Sequence, residues 1–268
     1  DVLGRHHGGG LTRRAVVARP PPIVDARGDN ACRRFTRRDY SENTTSGQSR
    51  CAVVIVDVGT LIFDLDGTLS DPAVGIGRSL NYALEALGYR CITADEVFKF
   101  VGPPLDWAFR QIVPDASDET VRALVAKYRE RYGDVGYAEN VLYAGIAEAL
   151  AQLSAAGVRM GACTSKRTDF AERILDMFGL RGHFSFVNGG DVGVTKRDQL
   201  RSLLEQRAVT RTSIMIGDRA VDVHAARANK LGAVGVRWRY GAEAELLAAD
   251  PDRILGSPAE LLMLGQQL

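Results

Sequence analysis

From residue 59 onward, short continuous apolar runs alternate with stretches of helical period. "TLIFDLD", "GVRMGACTS" (157–165), "HFSFVNGGD" (183–191), "SIMIGDR" (213–219) and "AVGVRW" (233–238) each read as a buried strand. Helical patterns run over 145–156, 168–178, 196–207, 219–229 and 242–249. Apolar runs without alternation are buried on both faces, and strand–helix alternation joins parallel neighbours. The pattern predicts an α/β fold with a doubly wound parallel sheet.

Residues 72–140 break the rhythm and contain no convincing strand. Ile76, Leu80, Leu84 and Leu87 share one helical face. Further helical patterns follow at about 94–100, 105–113 and 118–132. The Gly-Pro-Pro of "FVGPPLDWAF" must end one helix and open the next, because Pro suits a first turn and not an interior. Two bodies are expected: a core of 59–71 plus 141–268, and a helical cap of 72–140 inserted after the first strand. Phe98, Trp107 and Phe109 are expected in the interior of the cap. Trp238 and Tyr240 are expected to pack beyond the fifth strand.

Residues 1–50 are different in kind. They hold ten Arg against five acids, a net of +5, so the rest of a chain whose total is +1 carries −4. They show neither period and lack the apolar side chains that offset ordering entropy, so they are expected to be a disordered tail. "AVVA" is too short for a secretory signal core; the Arg content leaves a presequence open. The chain begins with Asp and its first Met is Met160. Part of 1–50 is therefore expected not to belong to the mature protein.

An apolar share of 46% with 25% charged residues fits a globular protein in water. No apolar run approaches the ~20 residues of a membrane span, and a net charge of +1 makes no case for a nucleic acid polymer. Cys32, Cys51, Cys91 and Cys163 form no CxxC pair, which argues against zinc and a disulfide framework and for reduced thiols in the cytoplasm. His183 and His224 are given surface or packing roles.

In an open parallel sheet, chemistry gathers at the carboxyl ends of the strands. The first strand ends in Asp64-Leu65-Asp66-Gly67-Thr68, the second in Thr164-Ser165-Lys166, the fourth in Gly217-Asp218 with Asp222 one turn on. Lys196 opens a helix. Clustered carboxylates need a cation, and hard oxygen donors without His or Cys point to Mg2+ and phosphate. Asp64 and Asp66, at i and i+2 of an extended segment, leave the chain on the same side. One such carboxylate can attack phosphorus, and the other can protonate the leaving oxygen. Gly67 permits a sharp turn beneath a phosphate. An Asp-x-Asp alone would also suit a glycosyltransferase metal site. "VIVDVGTL" half-repeats "IFDLDGTL", but Asp57 lacks the second carboxylate. Seven extended residues set it roughly 23 Å from Asp64, near the amino end of the strand, as a bystander.

"FDLDGTL", "CTSK", Lys196 of "GVTKRDQL" and "MIGDRAVDV", in that order over roughly 59–265, resemble the haloacid dehalogenase-like phosphatases of the phosphoglycolate-phosphatase-like branch. The third motif departs from the Lys-Pro often found there. The resemblance implies a Rossmann-like core with a mobile helical cap that selects substrate. It implies Asp64 as nucleophile and Asp66 as acid/base, the latter also reaching Mg2+ through its carbonyl. It also implies Asp218 as a metal carboxylate and Asp222 as the group that orders metal-bound water. Thr164 and Lys196 would bind phosphate, with Ser165 and Gly67 beside them. "SDPAVGIGRSLNYALEALGY" with "FVGPPLDWAF" looks like the 5'-nucleotidase-like subgroup, which puts Gly102, Pro103 and Pro104, with Lys166, on the substrate side.

The expected activity is Mg2+-dependent hydrolysis of a small phosphorylated metabolite through an aspartyl phosphate. The metabolite would resemble phosphoglycolate or a nucleoside 5'-monophosphate. The alternative is transfer of the same phosphoryl group to a sugar, as in mutases, or to protein tyrosine. A non-catalytic phosphate sensor would have lost Asp64, Asp66 or Asp218, and this chain keeps all three. The oligomeric state stays open.

Overall fold

The structure, a computed structural model, describes residues 59–191, 193–238 and 243–266. The expectations for 1–50, Asp57 and Tyr240 fall outside the described residues. In chain order the elements begin with β1 (Thr60–Phe63), β2 (Ser70–Asp71), α1 (Ala73–Ala86), α2 (Ala94–Val97), α3 (Leu105–Ile112) and α4 (Asp118–Asp134). They continue with β3 (Val141–Leu142), α5 (Ile146–Ala155), β4 (Arg159–Thr164), α6 (Thr168–Met177), β5 (Val187–Gly189) and α7 (Lys196–Glu205). β6 (Ile214–Gly217), α8 (Ala220–Ala228), β7 (Gly232–Val236), α9 (Glu243–Ala249) and β8 (Arg253–Leu255) complete them, followed by a 3-10 segment, Pro258–Gln266.

Six strands form one parallel sheet in the order β5-β4-β1-β6-β7-β8. β1 is fully buried, and its side chains alternate between the two faces of the sheet. Leu61 and Phe63 join Ile146 and Leu150 of α5 and Ile174 of α6 on one face. Ile62 joins Met215, Leu200 of α7 and Val223 of α8 on the other. The chain winds outward from β1 in both directions, so the strand order switches there. In such sheets that switch point is where a crevice opens at the carboxyl ends. Asp64 follows β1 directly and continues its ladder, its N–H donating to Ile216 O at 2.9 Å.

Helices α1 to α4 pack around an interior of their own. Ile76, Leu80 and Leu84 of α1 meet Phe109 of α3 and Leu124, Tyr128 and Tyr132 of α4, with Phe170 reaching in from α6. Three local signals set the boundaries. Ser117 caps α4 by accepting from the Thr120 N–H, and Thr93 and Glu96 make a capping box on α2. Pro104 immediately precedes α3, as the Gly-Pro-Pro predicted. Phe98 and Trp107 are 51% and 44% exposed, so of the three aromatics assigned to the cap interior only Phe109 is there. Short periodic windows fix a helical face only when the helix is long; α3 has eight residues and Phe98 sits in a single 3-10 turn.

Three features were not legible in the pattern. β2 and β3 pair antiparallel, Ser70 with Leu142 and Asp71 with Val141, where the chain leaves the sheet for the helices and returns. β8 adds an outer strand, and the segment after it packs Leu261 and Leu264 onto α5. The third expected strand is shorter than its apolar run: it covers only Val187–Gly189, after a 3-10 turn at Arg181–His183. No helix among the described residues is long and apolar enough to cross a membrane.

Candidate active site

Past the end of β1 the chain turns back under itself. Leu69 N–H donates to Leu65 O at 2.9 Å and Gly67 N–H to Ser70 O at 2.8 Å. Gly67 has φ +86°, and a side chain there would run into the Asp218 carboxylate. Gly217, at the end of β6, is bare for a similar reason: a Cβ would strike Asp222. Two glycines thus let three acidic segments close on one point. Trp238 donates its Nε1–H to Thr68 O at 3.0 Å, tying the turn to the chain beyond β7.

Asp64, Asp66, Asp218 and Asp222 are all buried, at 6%, 8%, 1% and 1% exposure. One oxygen each from Asp64, Asp218 and Asp222 lies within 4.8 Å of the others. Lys196, the first residue of α7, places its Nζ 3.0 Å from Asp64 Oδ2 and 2.5 Å from Asp222 Oδ1. Asp222 Oδ2 accepts from the Arg219 N–H, so both of its oxygens are engaged. Lys166 Nζ stands 2.8 Å from Asp66 Oδ2 and donates to the Tyr132 hydroxyl at 2.6 Å. Oδ1 of Asp64 and Oδ1 of Asp66 are buried without a hydrogen-bond partner. Four carboxylates therefore face two ammonium groups; the neighbouring cations Arg129, Arg167 and Arg219 are taken up by Asp191, Asp169 and Glu245.

The electrostatics follow from that surplus. Burial raises the Asp218 carboxyl well above its ordinary range, and the charges of Asp222 and Asp64 add to this. Burial likewise pushes Asp222 up to about 6, with Lys196 opposing. Asp66 is raised by burial and held back by Lys166. Burial alone would lower Lys196, but Asp222 and Asp64 more than reverse it, so its ammonium is held firmly. Cys163, beside them on β4, has its thiol pushed up to about 12 by burial, which leaves it inert as a nucleophile.

Thr164 closes β4; its Oγ1 accepts from the Lys166 N–H and its carbonyl accepts from Gln199 Nε2 at 3.0 Å. Gln199 lies one turn after Lys196 and also binds Asn188 of β5, locking α7 to two strand ends. Its spacing from Lys196 was the available signal, since both occupy one helical face. The cleft above is lined by Asp64, Asp66, Thr164, Ser165 and Lys166 from the sheet side and by Gly102, Pro103 and Pro104 from the helices. Phe100, Tyr128, Tyr132 and Phe170 also line it, and sequence reasoning singled out none of them. Lys196, Asp218 and Asp222 are buried and do not line it. His183 and His224 take no part.

Residues 61–236 match the haloacid dehalogenase-like hydrolase family. The chain belongs to this family. Among its relatives, a tyrosine-protein kinase from Mycobacterium tuberculosis is 36% identical over 185 residues, 68% of this chain and 62% of that protein. This chain thus spans less than two thirds of the kinase. A 5'-nucleotidase from Pseudomonas aeruginosa is 35% identical over 205 residues, 75% of this chain and 92% of that protein. Among solved structures, a predicted phosphatase from Clostridium acetobutylicum superposes with a TM-score of 0.73 at 34% identity, covering 79% of this chain and all of that one. Asp64, Asp66, Thr164, Lys196, Asp218 and Asp222, from the four motifs of the core, lie at one end of this sheet.

Proposed function

We propose that this protein is a Mg2+-dependent phosphomonoesterase that passes the phosphoryl group through Asp64. The observation that carries the reading is the uncompensated charge: four buried carboxylates against two ammonium groups leave a formal surplus of two. A divalent cation cancels that surplus and gives a phosphate group a positive partner. Mg2+ fits the donor set, which is all oxygen and includes the partnerless Oδ1 of Asp64. Asp64, Asp218 and the Asp66 carbonyl would hold it. Asp222, the third carboxylate of that cluster, would stand beside the ion and also holds Lys196. When bound, the ion would supply positive charge against the phosphate oxygens.

The chain's own groups account for the rest. Asp64 attacks phosphorus; the new P–O bond forms as the bond to the leaving oxygen breaks, and Asp66 gives that oxygen its proton. Asp66 then takes a proton from water as the water oxygen attacks phosphorus and the bond to Asp64 breaks. Burial favours the protonated Asp66 that the first half requires. Lys196 and the Thr164 hydroxyl stabilise the transferring phosphoryl group, and α1 to α4 act as a cap that excludes water. Aromatic walls of Phe100, Tyr128 and Phe170 favour a substrate with a ring-bearing leaving group, such as a nucleoside 5'-monophosphate. A panel of phosphorylated metabolites with Mg2+ or EDTA reads the substrate out.

Asp64→Asn should abolish turnover of p-nitrophenyl phosphate while circular dichroism and melting stay native. Retained turnover would overturn the nucleophile assignment. The kinase relative supports one other reading, transfer of the same phosphoryl group to a tyrosine. Labelled phosphate recovered on a tyrosine peptide rather than in water would select it.

A further inference from the structure

One cation of the site is held from two sides. Lys166 bridges Asp66 Oδ2, on the sheet side, and the Tyr132 hydroxyl, on α4 of the cap, with 2.8 and 2.6 Å contacts. The bridge is nearly closed to water, since the Lys166 and Asp66 side chains are 7% and 9% exposed. Tyr132 is itself fixed. It stacks on Tyr128 with ring centroids 5.3 Å apart and meets the edge of Phe170 at 5.2 Å. Burial keeps its hydroxyl protonated far above the usual phenol range, so it receives the ammonium as a neutral acceptor and leaves the lysine charge to Asp66.

We propose that Tyr132 and Lys166 form a bracket that positions Asp66, so that proton delivery to the leaving group depends on the cap being seated. The inference rests on the acid role proposed for Asp66. Asp66 has two oxygens with different fates. Oδ2 is pinned by Lys166; Oδ1 is buried and unpartnered, and is the oxygen free to carry the proton. Pinning one oxygen fixes the rotation of the carboxyl group and hence the aim of the other. The pinning group is in turn oriented from the cap, so a displaced cap releases Lys166 and lets Asp66 swing. Tyr132 is thus a positioning residue, acting through Lys166.

The test compares two leaving groups. p-Nitrophenolate departs with little need of a proton, whereas an alkoxide needs one. Tyr132→Phe keeps the ring contacts and removes the hydroxyl. It should lower kcat about tenfold on an alkyl phosphate, a modest share of what general acid catalysis gives, with a several-fold smaller loss on p-nitrophenyl phosphate and KM little changed. Lys166→Met should show the same bias more strongly, and it stands in should Tyr132→Phe fold poorly. Asp66→Asn run alongside separates the two ideas. If Asp66→Asn shows no leaving-group bias, the acid role falls and the bracket with it. If Asp66→Asn shows the bias but Tyr132→Phe and Lys166→Met lose activity equally on both substrates, the bracket alone is wrong. A rise in KM and in the inhibition constant of inorganic phosphate, without bias, would also overturn it, because Lys166 would then be binding phosphate.

Discussion

Lys196 is 3% exposed, and its charge is tolerated only because Asp64 and Asp222 flank it. Removing one partner of a buried pair leaves the other uncompensated, at a cost of about 3–5 kcal/mol. Lys196→Met should therefore lower stability by that order in metal-free buffer. The opposite sign is expected at Asp218, whose carboxyl is raised by burial and by two like charges. Its charged form is therefore disfavoured in the folded, metal-free protein. Asp218→Asn should thus stabilise the metal-free protein while disabling Mg2+ binding. Urea unfolding in EDTA measures both; a Lys196→Met variant as stable as the parent would contradict the pairing. Such charges were legible as residues. The spacing of Asp64 and Asp66 and the turn at Gly67 could be read from seven letters, because they are local. The Lys166–Tyr132 contact joins positions 34 residues apart and exists only once α4 packs against the sheet.

Between elements, Arg219 joins two loops. It follows Asp218, donates through Nε to Glu245 of α9 at 3.1 Å, and through Nη1 to Val101 O at 3.2 Å, beside the Gly-Pro-Pro turn. It therefore fastens the cap loop to the loop that carries a candidate metal ligand. A hydrogen bond from a charged group is worth roughly 1.5–3 kcal/mol, and this one is made only with the cap in place. Arg219→Ala should raise KM about tenfold, read by steady-state kinetics; an unchanged KM would mean the loop is held by other contacts. The alternation of apolar runs was enough to predict the sheet, because each central strand is buried on both faces and reads as an uninterrupted run. β2, β3 and β8 escaped because two or three residues carry no period. Phe98 and Trp107 escaped because an aromatic in a short helix has no repeat to fix its face. Neither pattern could reveal that Arg219 spans from sheet to cap.

For the molecule as a whole, the acidic site couples stability, pH and metal. Asp66, Asp218 and Asp222 all take up protons more readily folded than unfolded, Asp222 at about 6. Their sign is opposite to that of a salt-bridged carboxylate. With raised folded values, metal-free stability should rise as pH falls from neutrality through about 6 toward the ordinary carboxylate range near 4. Lys196 does not alter this window, because its raised value is lost only well above pH 10. Below the window the trend reverses, as carboxyls held down by arginine, such as Glu139 and Asp118, are protonated. Mg2+ must displace the same protons that acid supplies. At ten times its Kd, a ligand adds about 1.4 kcal/mol to the folded state, roughly 3–5 °C of melting temperature for a fold of this size. That gain should appear in full at about pH 8 and shrink at about pH 5, where Asp222 and Asp218 hold protons. Thermal melts with Mg2+ or EDTA at the two pH values measure it. A shift of equal size at both would place the ion away from these carboxylates, and Asp218→Asn should abolish the shift at about pH 8 if Asp218 is the ligand.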